Sequence, residues 1–456
     1  MDSTKYNVYQ VYDDLRISRS KSRQWDALLR ILQRPWFERI WVVQEVALAY
    51  QVQVRYGDEA INWDILASGM KKLHHSQDFR LWLECFHGVQ LRHVQHTSLY
   101  NITRMHRFRN RVQNQGGGSY FIWRREGSRV PLLSELLTGS FYLKATDPKN
   151  HIHGLMGICR DPVEGAIHLL FHAAGVGNRV RTTSIAPMLP SWVPGWTNSQ
   201  KYERLYILGE LKRIKEFKAR GEVEPKIKIK GGRVLSLSGV CNDVIDELGP
   251  VLFNPTLPVG EWTTDEVFLL ATKYGEFWTQ LKDSTRTRDP YPHIAQDQSL
   301  REAFRRTTVT DKRWFGWDIS SDEFYSLFPE WEEKLESFLV EPRATFSGGG
   351  EAVYRLLQSM DRVTEQVKSS CGGRQLFITK KGYIGLCPPY ALQGDLISIT
   401  PGIHVPLVLR QVDIDIKRKG KGPGKKYQLV GECYVHGLMN GEAMLLGVTD
   451  REMELI

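Results

Sequence analysis

Of the ionisable side chains in this 456-residue chain, Glu45 has the surroundings best suited to chemistry. It follows Gln44 in the run Trp41-Val42-Val43-Gln44-Glu45-Val46-Ala47-Leu48-Ala49, where nearly every neighbour is apolar. A carboxylate on such a helix either pairs with a base such as an arginine, or sits in a cleft with a raised pKa, ready for acid/base or ribose-binding work. Pairing is the commoner outcome, because an unpaired buried charge is costly. Histidines form a second cluster: six of the thirteen fall between His74 and His106. His93 and His96 share a helix face at i, i+3 spacing, as do Glu84 and His87. A bundle metal site built on Glu-x-x-His needs two such motifs plus two further carboxylates, and only one motif is present. Surface and interface histidines are the plainer reading, and His151-x-His153 does not put both rings on one helix face. No G-x-S-x-G, H-E-x-x-H, G-x-x-x-x-G-K-[ST] or G-x-G-x-x-G occurs, so the standard hydrolase, zinc-protease, nucleotide-triphosphatase and Rossmann readings have no motif to rest on.

The 61 Lys+Arg against 52 Asp+Glu leave a formal charge of +9, which favours contact with polyanions. Part of it sits in Lys417-Arg418-Lys419-Gly420-Lys421-Gly422-Pro423-Gly424-Lys425-Lys426, between two strand-like stretches. As a nucleic-acid patch this run lacks interleaved aromatics. A solvated hairpin loop is the plainer reading, and a nucleic-acid partner is disfavoured. Six cysteines (Cys85, Cys159, Cys241, Cys371, Cys387, Cys433) show no C-x-x-C pair, so neither a zinc ribbon nor a disulfide framework is indicated, and reduced, buried thiols are expected. Asn101-Ile102-Thr103 matches a glycosylation acceptor, a triplet that also arises by chance and matters only in a secreted chain. No apolar run approaches the roughly 18 residues of a membrane span, and Met1-Asp2-Ser3-Thr4-Lys5 lacks the layout of a signal peptide. The expectation is a cytoplasmic protein with no membrane span.

The elements that must position these residues follow from periodicity. At roughly 150 residues per domain, the length implies about three domains, or two with a large insertion. The chain is 41% hydrophobic with 18 Tyr, 18 Phe and 13 Trp, enough apolar surface to exclude wholesale disorder. Trp25, Leu28, Leu29 and Leu32 lie on one helical face. Pro35 interrupts that helix and can start a second, whose buried stripe is Trp36, Ile40, Val43 and Ala47. The segment from Ile61 to about Arg111 continues helical until Gly116-Gly117-Gly118. Asp147-Pro148 reads as a helix start, with Ile152, Leu155 and Met156 buried and Gly157 placed to end it. Pro190-Ser191-Trp192-Val193-Pro194-Gly195-Trp196 is extended and Pro-bracketed, its indoles anchoring a connection between domains.

Beyond it the period changes. Lys226-Ile227-Lys228-Ile229-Lys230 alternates strictly, Gly231-Gly232 reads as a two-residue turn, and Val234, Leu235, Leu237 and Val240 follow, which predicts a β-hairpin. From Trp262 to about Val367 the pattern is helical again. Strands resume at Leu376–Ile378, Tyr383–Leu386, Leu396–Ile399, Val405–Leu409 and Tyr427–Val435, with turns at Lys381-Gly382, Gly394-Asp395 and Pro401-Gly402. Short strands at such spacing suggest a small antiparallel barrel or curled sheet, with the hairpin at 226–241 as its first two strands.

The run Leu32-Gln33-Arg34-Pro35-Trp36-Phe37-Glu38-Arg39-Ile40-Trp41-Val42-Val43-Gln44-Glu45-Val46-Ala47 resembles the closing signature block of the fungal heterokaryon-incompatibility (HET) domain, whose pattern ends in an aromatic, Arg, Trp, then Gln-Glu. Three further blocks agree in order. They are Thr146-Asp147-Pro148-Lys149 through Leu155-Met156-Gly157; the Pro190–Trp196 segment; and a C-terminal set. That set holds Arg374–Phe377, Gly382–Leu386, Gly394-Asp395, Pro406, Val408-Leu409-Arg410 and Gly431–Ala443, the last including Gly437, Gly441 and Glu442. The resemblance implies a cytosolic fungal protein whose HET domain triggers growth arrest or cell death when genetically different hyphae fuse. HET domains are thought to be distant relatives of TIR domains, some of which cleave NAD, and on that analogy Glu45 is the acidic residue for ribose binding or glycosidic-bond chemistry. A typical member begins with a hydrophobic strand and Tyr-x-Trp-Gly, then a Trp-Ile-Asp-x-x-Cys-Ile-Asn-Gln block, and this chain starts too late to contain either. Asn150 stands where an acidic residue is usual, Gly154 where Ala is usual, and Gly195 where Asp is usual.

The reading is therefore an α+β protein, an N-terminally truncated HET-family member. Residues 1–160 would be a mainly helical region, the partial HET/TIR-like domain; 161–225 a connector; 226–258 the first strands of an antiparallel β-barrel-like module; 259–368 a helical insertion; and 369–456 the rest of the module. The expected role is fungal nonself recognition and programmed cell death, through a protein partner or self-association of the helical region, or as a non-catalytic form. Two alternatives stand beside it: a TIR-like NAD-cleaving enzyme using Glu45, with NAD as substrate and no resident cofactor or metal, and a basic nucleic-acid-associated protein. The residues carrying the family pattern are Arg39, Trp41, Gln44, Asp147, Pro148, Trp192, Trp196, Gly394, Asp395, Arg410, Gly437, Gly441 and Glu442.

Overall fold

The structure, a computed structural model, describes residues 28–75, 98–113, 131–159, 170, 190–192, 217–223, 227–253, 264–284, 298–311, 321–340, 363–412 and 425–456, less Leu29, Leu132, Phe141, Tyr142, Pro148, Lys149, Glu222, Gly232, Glu365, Gly447 and Val448. The chain divides into two units, Met1–Ala166 and Ile167–Ile456. Together they make an α+β protein: helices dominate the described part of the first unit, and the second holds a closed five-stranded β-barrel with extra strands. Among the described residues no helix is long and apolar enough to cross a membrane.

In the first unit the helix expected from Pro35 is split. Pro35–Glu38 form a 3₁₀ turn and Arg39 is extended (φ −87°, ψ 133°). The cause is a competing backbone partner: Ile40 N–H donates to Lys144 O (3.1 Å), and Lys144 N–H to Glu38 O. Helix α1 then runs Val42–Leu48, burying Val42, Val43, Val46 and Ala47. A hairpin that the helical reading passed over follows, β1 (Gln53–Tyr56) with β2 (Glu59–Asn62). Its two-residue turn is possible because Gly57 adopts φ +63°. Helix α2 therefore begins at Trp63, not Ile61, and runs to His75.

Helix α3, residues 98–113, fastens this region through main-chain carbonyls. Ser98 Oγ donates to Leu32 O (2.6 Å) and Asn101 Nδ2 to Phe37 O (3.1 Å). Arg109 Nη1 donates to Val46 O (2.7 Å) and Nη2 to Tyr50 O (3.0 Å), while Gln113 Nε2 reaches Ala49 O (2.7 Å). The carbonyls taken by Arg109 and Gln113 lie at and just after the end of α1, where helix carbonyls have no helical partner of their own. Asn101 is thereby buried with its amide engaged, which accounts for discounting the glycosylation triplet. Helices α4 (Leu133–Gly139) and α5 (Asn150–Met156) complete the described part, with Arg111 paired to Glu135 at 2.9 Å.

In the second unit the Lys-Ile alternation forms β3 (Ile227–Lys230) against β4 (Val234–Val251). Lys230 pairs with Val234, so the loop is Gly231 to Arg233 rather than a two-residue turn. The later strands are β5 (Gln375–Thr379), β6 (Ile384–Cys387), β7 (Leu396–Ile399), β8 (Leu407–Val412), β9 (Lys426–Glu432), β10 (Tyr434–Val435) and β11 (Arg451–Leu455). The closed ring runs β4, β11, β9, β8, β7 and back to β4. Its neighbours are antiparallel except β11 and β9, which are parallel. Strand β3 pairs with β4 alone and stays outside the ring, which corrects its expected place as first strand of the barrel. From Ile245 onward β4 leaves the ring to pair with β5, which continues to β6 and β10. Register shifts after Cys241, Ile245 and Leu248 mark where it bends.

Between β4 and β5 lie helices α6 (Thr264–Asp283), α7 (Leu300–Thr308), α8 (Ser321–Tyr325), α9 (Phe328–Val340) and α10, residues 363–371. Their core is aromatic, with the Tyr274 ring in contact with both Phe304 and Trp331. At its centre the buried Glu332 carboxylate accepts from Tyr274 Oη (2.7 Å), Arg301 Nε (3.2 Å) and Arg305 Nε (3.1 Å), so its charge is compensated from three residues.

A second enclosed ion pair ties the two sheets of this unit. Arg374, just before β5, donates to Glu432 Oε1 at the end of β9 (2.7 Å) and to Glu432 O (3.2 Å), both side chains being buried. Removing one partner of such a pair strands the other charge, at a cost of about 3–5 kcal/mol. Urea unfolding of Arg374→Met should show a loss of about that size, and Glu432→Leu added to it should restore most of the loss. A double variant no better than the single one would refute this account of the pair.

Candidate functional site

The residues singled out in the sequence separate into scaffold, surface and cavity. Gln44 is scaffold: its Nε2 donates to His153 O (3.0 Å), satisfying a carbonyl near the end of α5. Gly154 faces Ile40, where a Cβ would come within 3.2 Å of Ile40 Cγ1, so the glycine that weakens α5 as a helix also lets it approach the chain before α1. Helix α5 starts at Asn150, whose N–H donates to Asp147 O at 2.9 Å; Pro148 lies outside the described residues.

Glu45 and Arg39 are exposed, and Trp41 is 37% exposed. Among the described residues no arginine pairs with the Glu45 side chain. Its backbone N–H donates to Trp41 O (3.2 Å). Of the histidines, His87, His93 and His96, with Glu84, lie outside the described residues. His106 sits 3.6 Å from Asp64, with its pKa lowered chiefly by burial. Among the described residues no group of three or more His, Cys, Asp or Glu is arranged to hold a metal. Cys371, Cys387 and Cys433 are buried free thiols whose pKa values burial pushes up. Cys85 and Lys417–Gly424 lie outside the described residues.

Trp192 Nε1 donates to Arg233 O (3.3 Å), and its neighbour Ser191 bridges β9 and the C-terminus, accepting from Leu429 N–H (2.9 Å) and donating to Ile456 O. Trp196 lies outside the described residues. Asp395 and Arg410 form a two-pronged ion pair, Nε to Oδ1 at 2.9 Å and Nη2 to Oδ2 at 2.8 Å. Asp395 Oδ2 also accepts from Leu392 N–H (2.8 Å), closing the turn that Gly394 makes possible at φ +92°. These residues hold the β6–β7 connection against β8.

Two of the remaining family residues, Gly437 and Glu442, line a cavity of about 380 Å³ in the second unit. Its buried floor is Phe217, Tyr434, His436 and Met439; its rim is Gln298, Arg306, Asp311, Asn440 and Glu442, with Gly437 beside them. Gly441, at φ +95°, turns the chain between Asn440 and Glu442. Gln298 Oε1 can only accept, so His436 Nε2–H donates to it (3.0 Å) and Nδ1 accepts from Tyr434 Oη (2.9 Å). On the opposite side Arg306 bonds Glu302 through Nε (2.8 Å) and Asp311 through Nη1 (2.7 Å), and its guanidinium lies over the Tyr325 ring. Tyr325 Oη donates to Asp311 Oδ1 (3.0 Å). Thr310 and Asp311 both adopt positive φ, 54° and 52°, a conformation that costs about 1–2 kcal/mol per non-glycine residue. The Arg306–Asp311 pair and the bond from Asp311 N–H to Arg306 O (2.7 Å) hold it.

Periodicity offered no route to this cavity, because Gln298 and His436 meet across 138 positions of chain. Only the density of the Gly431–Ala443 block hinted at it. Burial lowers the His436 pKa from 6.5 to about 4, opposed by Asp311 and reinforced by Arg306, so near neutrality this imidazole is uncharged, its one N–H spent on Gln298. The same shift links stability to acid. The unfolded chain binds the proton at pH 6.5 and the folded one only near 4, so His436 contributes stability above 6.5 that is lost as pH falls toward 4. At 1.36 kcal/mol per unit, the loss is about 3 kcal/mol. Urea midpoints measured from pH 7 to about pH 4 should fall for the natural chain and fall distinctly less for His436→Gln; parallel curves would refute the assignment.

Residues 232–454 match the family described as the Het-6 beta-barrel domain. The chain is also 22% identical, over 486 aligned positions, to heterokaryon incompatibility protein 6, OR allele, of Neurospora crassa; the match covers 93% of this chain and 66% of that protein. The chain thus spans about two thirds of the length of that curated relative. No solved structure matches. The scaffold built from Gly394, Asp395 and Arg410 and the Gly431–Ala443 block that frames the cavity lie within the matched residues, and the two comparisons together support a protein of the fungal heterokaryon-incompatibility family.

Proposed function

We propose that this chain acts in fungal nonself recognition, and in the growth arrest or cell death that follows it, in the cytoplasm and through protein contact or self-association of its first unit. The observation that carries the reading is the surface around α1. Tyr50 is 88% exposed, Ile65 66% and Leu48 54%, with Trp41, Tyr56 and Ile61 also open to solvent. Large apolar side chains gathered on and just after one helix and hairpin, while Val42, Val43, Val46 and Ala47 of the same helix are buried, make a surface suited to a protein partner. The name of the Neurospora relative points the same way. The exposure of Glu45 favours this reading over glycosidic-bond cleavage, which draws on an enclosed carboxylate.

The test is expression in a fungal host of incompatible genotype, with growth as readout. Leu48→Glu combined with Ile65→Glu should abolish growth arrest while changing unfolding free energy by about 1 kcal/mol or less, as expected for surface positions. Glu45→Gln should arrest growth like the natural chain. Consumption of NAD by the purified chain that disappears in Glu45→Gln, together with loss of arrest, would replace this reading with the NAD-cleaving one.

A further inference from the structure

We propose that the cavity beside His436 is a binding site for a neutral sugar, a pyranose ring gripped by its hydroxyls. The floor comes first. The Phe217 and Tyr434 rings are buried, 6.0 Å apart and tilted by 57°, with Met439 next to them. They give an apolar platform for the C–H face of a ring. The rim supplies hydrogen-bonding capacity that the protein leaves unspent among the described residues. Asp311 commits Oδ1 to Arg306 and Tyr325, and its Oδ2 takes no hydrogen bond. Glu442 accepts Asn440 N–H at Oε2 (2.7 Å) and leaves Oε1 open. Gln298 uses its oxygen on His436 and keeps both amide hydrogens, and the Asn440 side-chain amide is uncommitted.

Open acceptors and open donors thus alternate around an apolar floor. A sugar hydroxyl both donates and accepts, so such a ring uses every one of these groups at once. Other small ligands use fewer. A nucleotide would bring phosphate toward the carboxylates of Asp311, Glu302 and Glu442, and the one guanidinium present, Arg306, is already engaged by Glu302 and Asp311. An organic amine would satisfy the carboxylates and leave the amide donors idle. The volume, about 380 Å³, falls within the roughly 300–1,000 Å³ of small-molecule sites. His436, buried and fixed in one tautomer between Tyr434 and Gln298, keeps the floor and the Gln298 amide in place.

The experiment is saturation-transfer NMR and calorimetry on the whole chain with D-glucose, D-mannose, D-galactose and N-acetyl-D-glucosamine, beside AMP and spermidine. At least one sugar should bind saturably, and AMP and spermidine should not. Glu442→Gln and Asn440→Ala should each weaken that binding by about tenfold or more, with the thermal unfolding temperature unchanged. The exposed Asn440 keeps its backbone N–H in the alanine variant, so this second substitution tests the site even where Glu442→Gln perturbs the turn. No binding by any of the four sugars, binding untouched by both substitutions, or binding of AMP or spermidine in place of sugar would each overturn the proposal.

Discussion

Strand β4 is asked to serve two sheets, and the architecture of the second unit follows from how it does so. At about 3.3 Å per residue its eighteen residues would extend about 60 Å if straight, far beyond the reach of ring partners four to seven residues long. It must bend, and the register shifts after Cys241, Ile245 and Leu248 are where it does. Up to Val244 it closes the ring with β11 and β7; beyond, it opens a second sheet with β5. Arg374 and Glu432 then bind the beginning of that second sheet to the last residue of β9, so the two sheets cannot drift apart without exposing a buried charge.

That geometry explains where the cavity is. The chain leaves β9 at Glu432, crosses Cys433 into β10, and turns at His436 and Gly437. The helices between β4 and β5 return to the same edge, with α7 packed beside β6. Arg306 and Asp311, at and just after the end of α7, therefore meet Tyr434 and His436 across more than a hundred positions of chain. The helical insertion thus supplies one side of the cavity, and its helices pack on the aromatic core around Glu332.

Elements carried by local pattern were legible, and those carried by distant partners were not. The Lys226–Lys230 alternation produced β3, and the strands between Leu376 and Val435 fell close to their expected places because alternating, β-branched runs leave little choice of period. Strand β11 was invisible: Arg451-Glu452-Met453-Glu454-Leu455 offers two buried apolar side chains, and its carboxylates at 452 and 454 become favourable only opposite Lys230 and Lys426. Yet β11 closes the ring. The hairpin β1–β2 was absorbed into a helical reading because it is almost wholly exposed and so lacks the half-buried alternation that marks a strand. Pro35 marked a real break, but the split at Arg39 depends on Lys144, a residue no window around it contains.

The same distinction governs the Gln44-Glu45 pair. Neighbours in sequence, they fall on different sides of α1, and their fates differ accordingly: Gln44 is spent inside on the His153 carbonyl, and Glu45 faces water. Helix α1 itself is held by its backbone, through Arg109 and Gln113 on the carbonyls of residues 46–50. A helix fixed at its carbonyl end needs few of its outward side chains for stability. Among the described residues Leu48 and Tyr50 are largely exposed and Trp41 partly so, and burial in this unit accounts for little of their apolar character. The protein contact proposed for this surface would give those side chains a use.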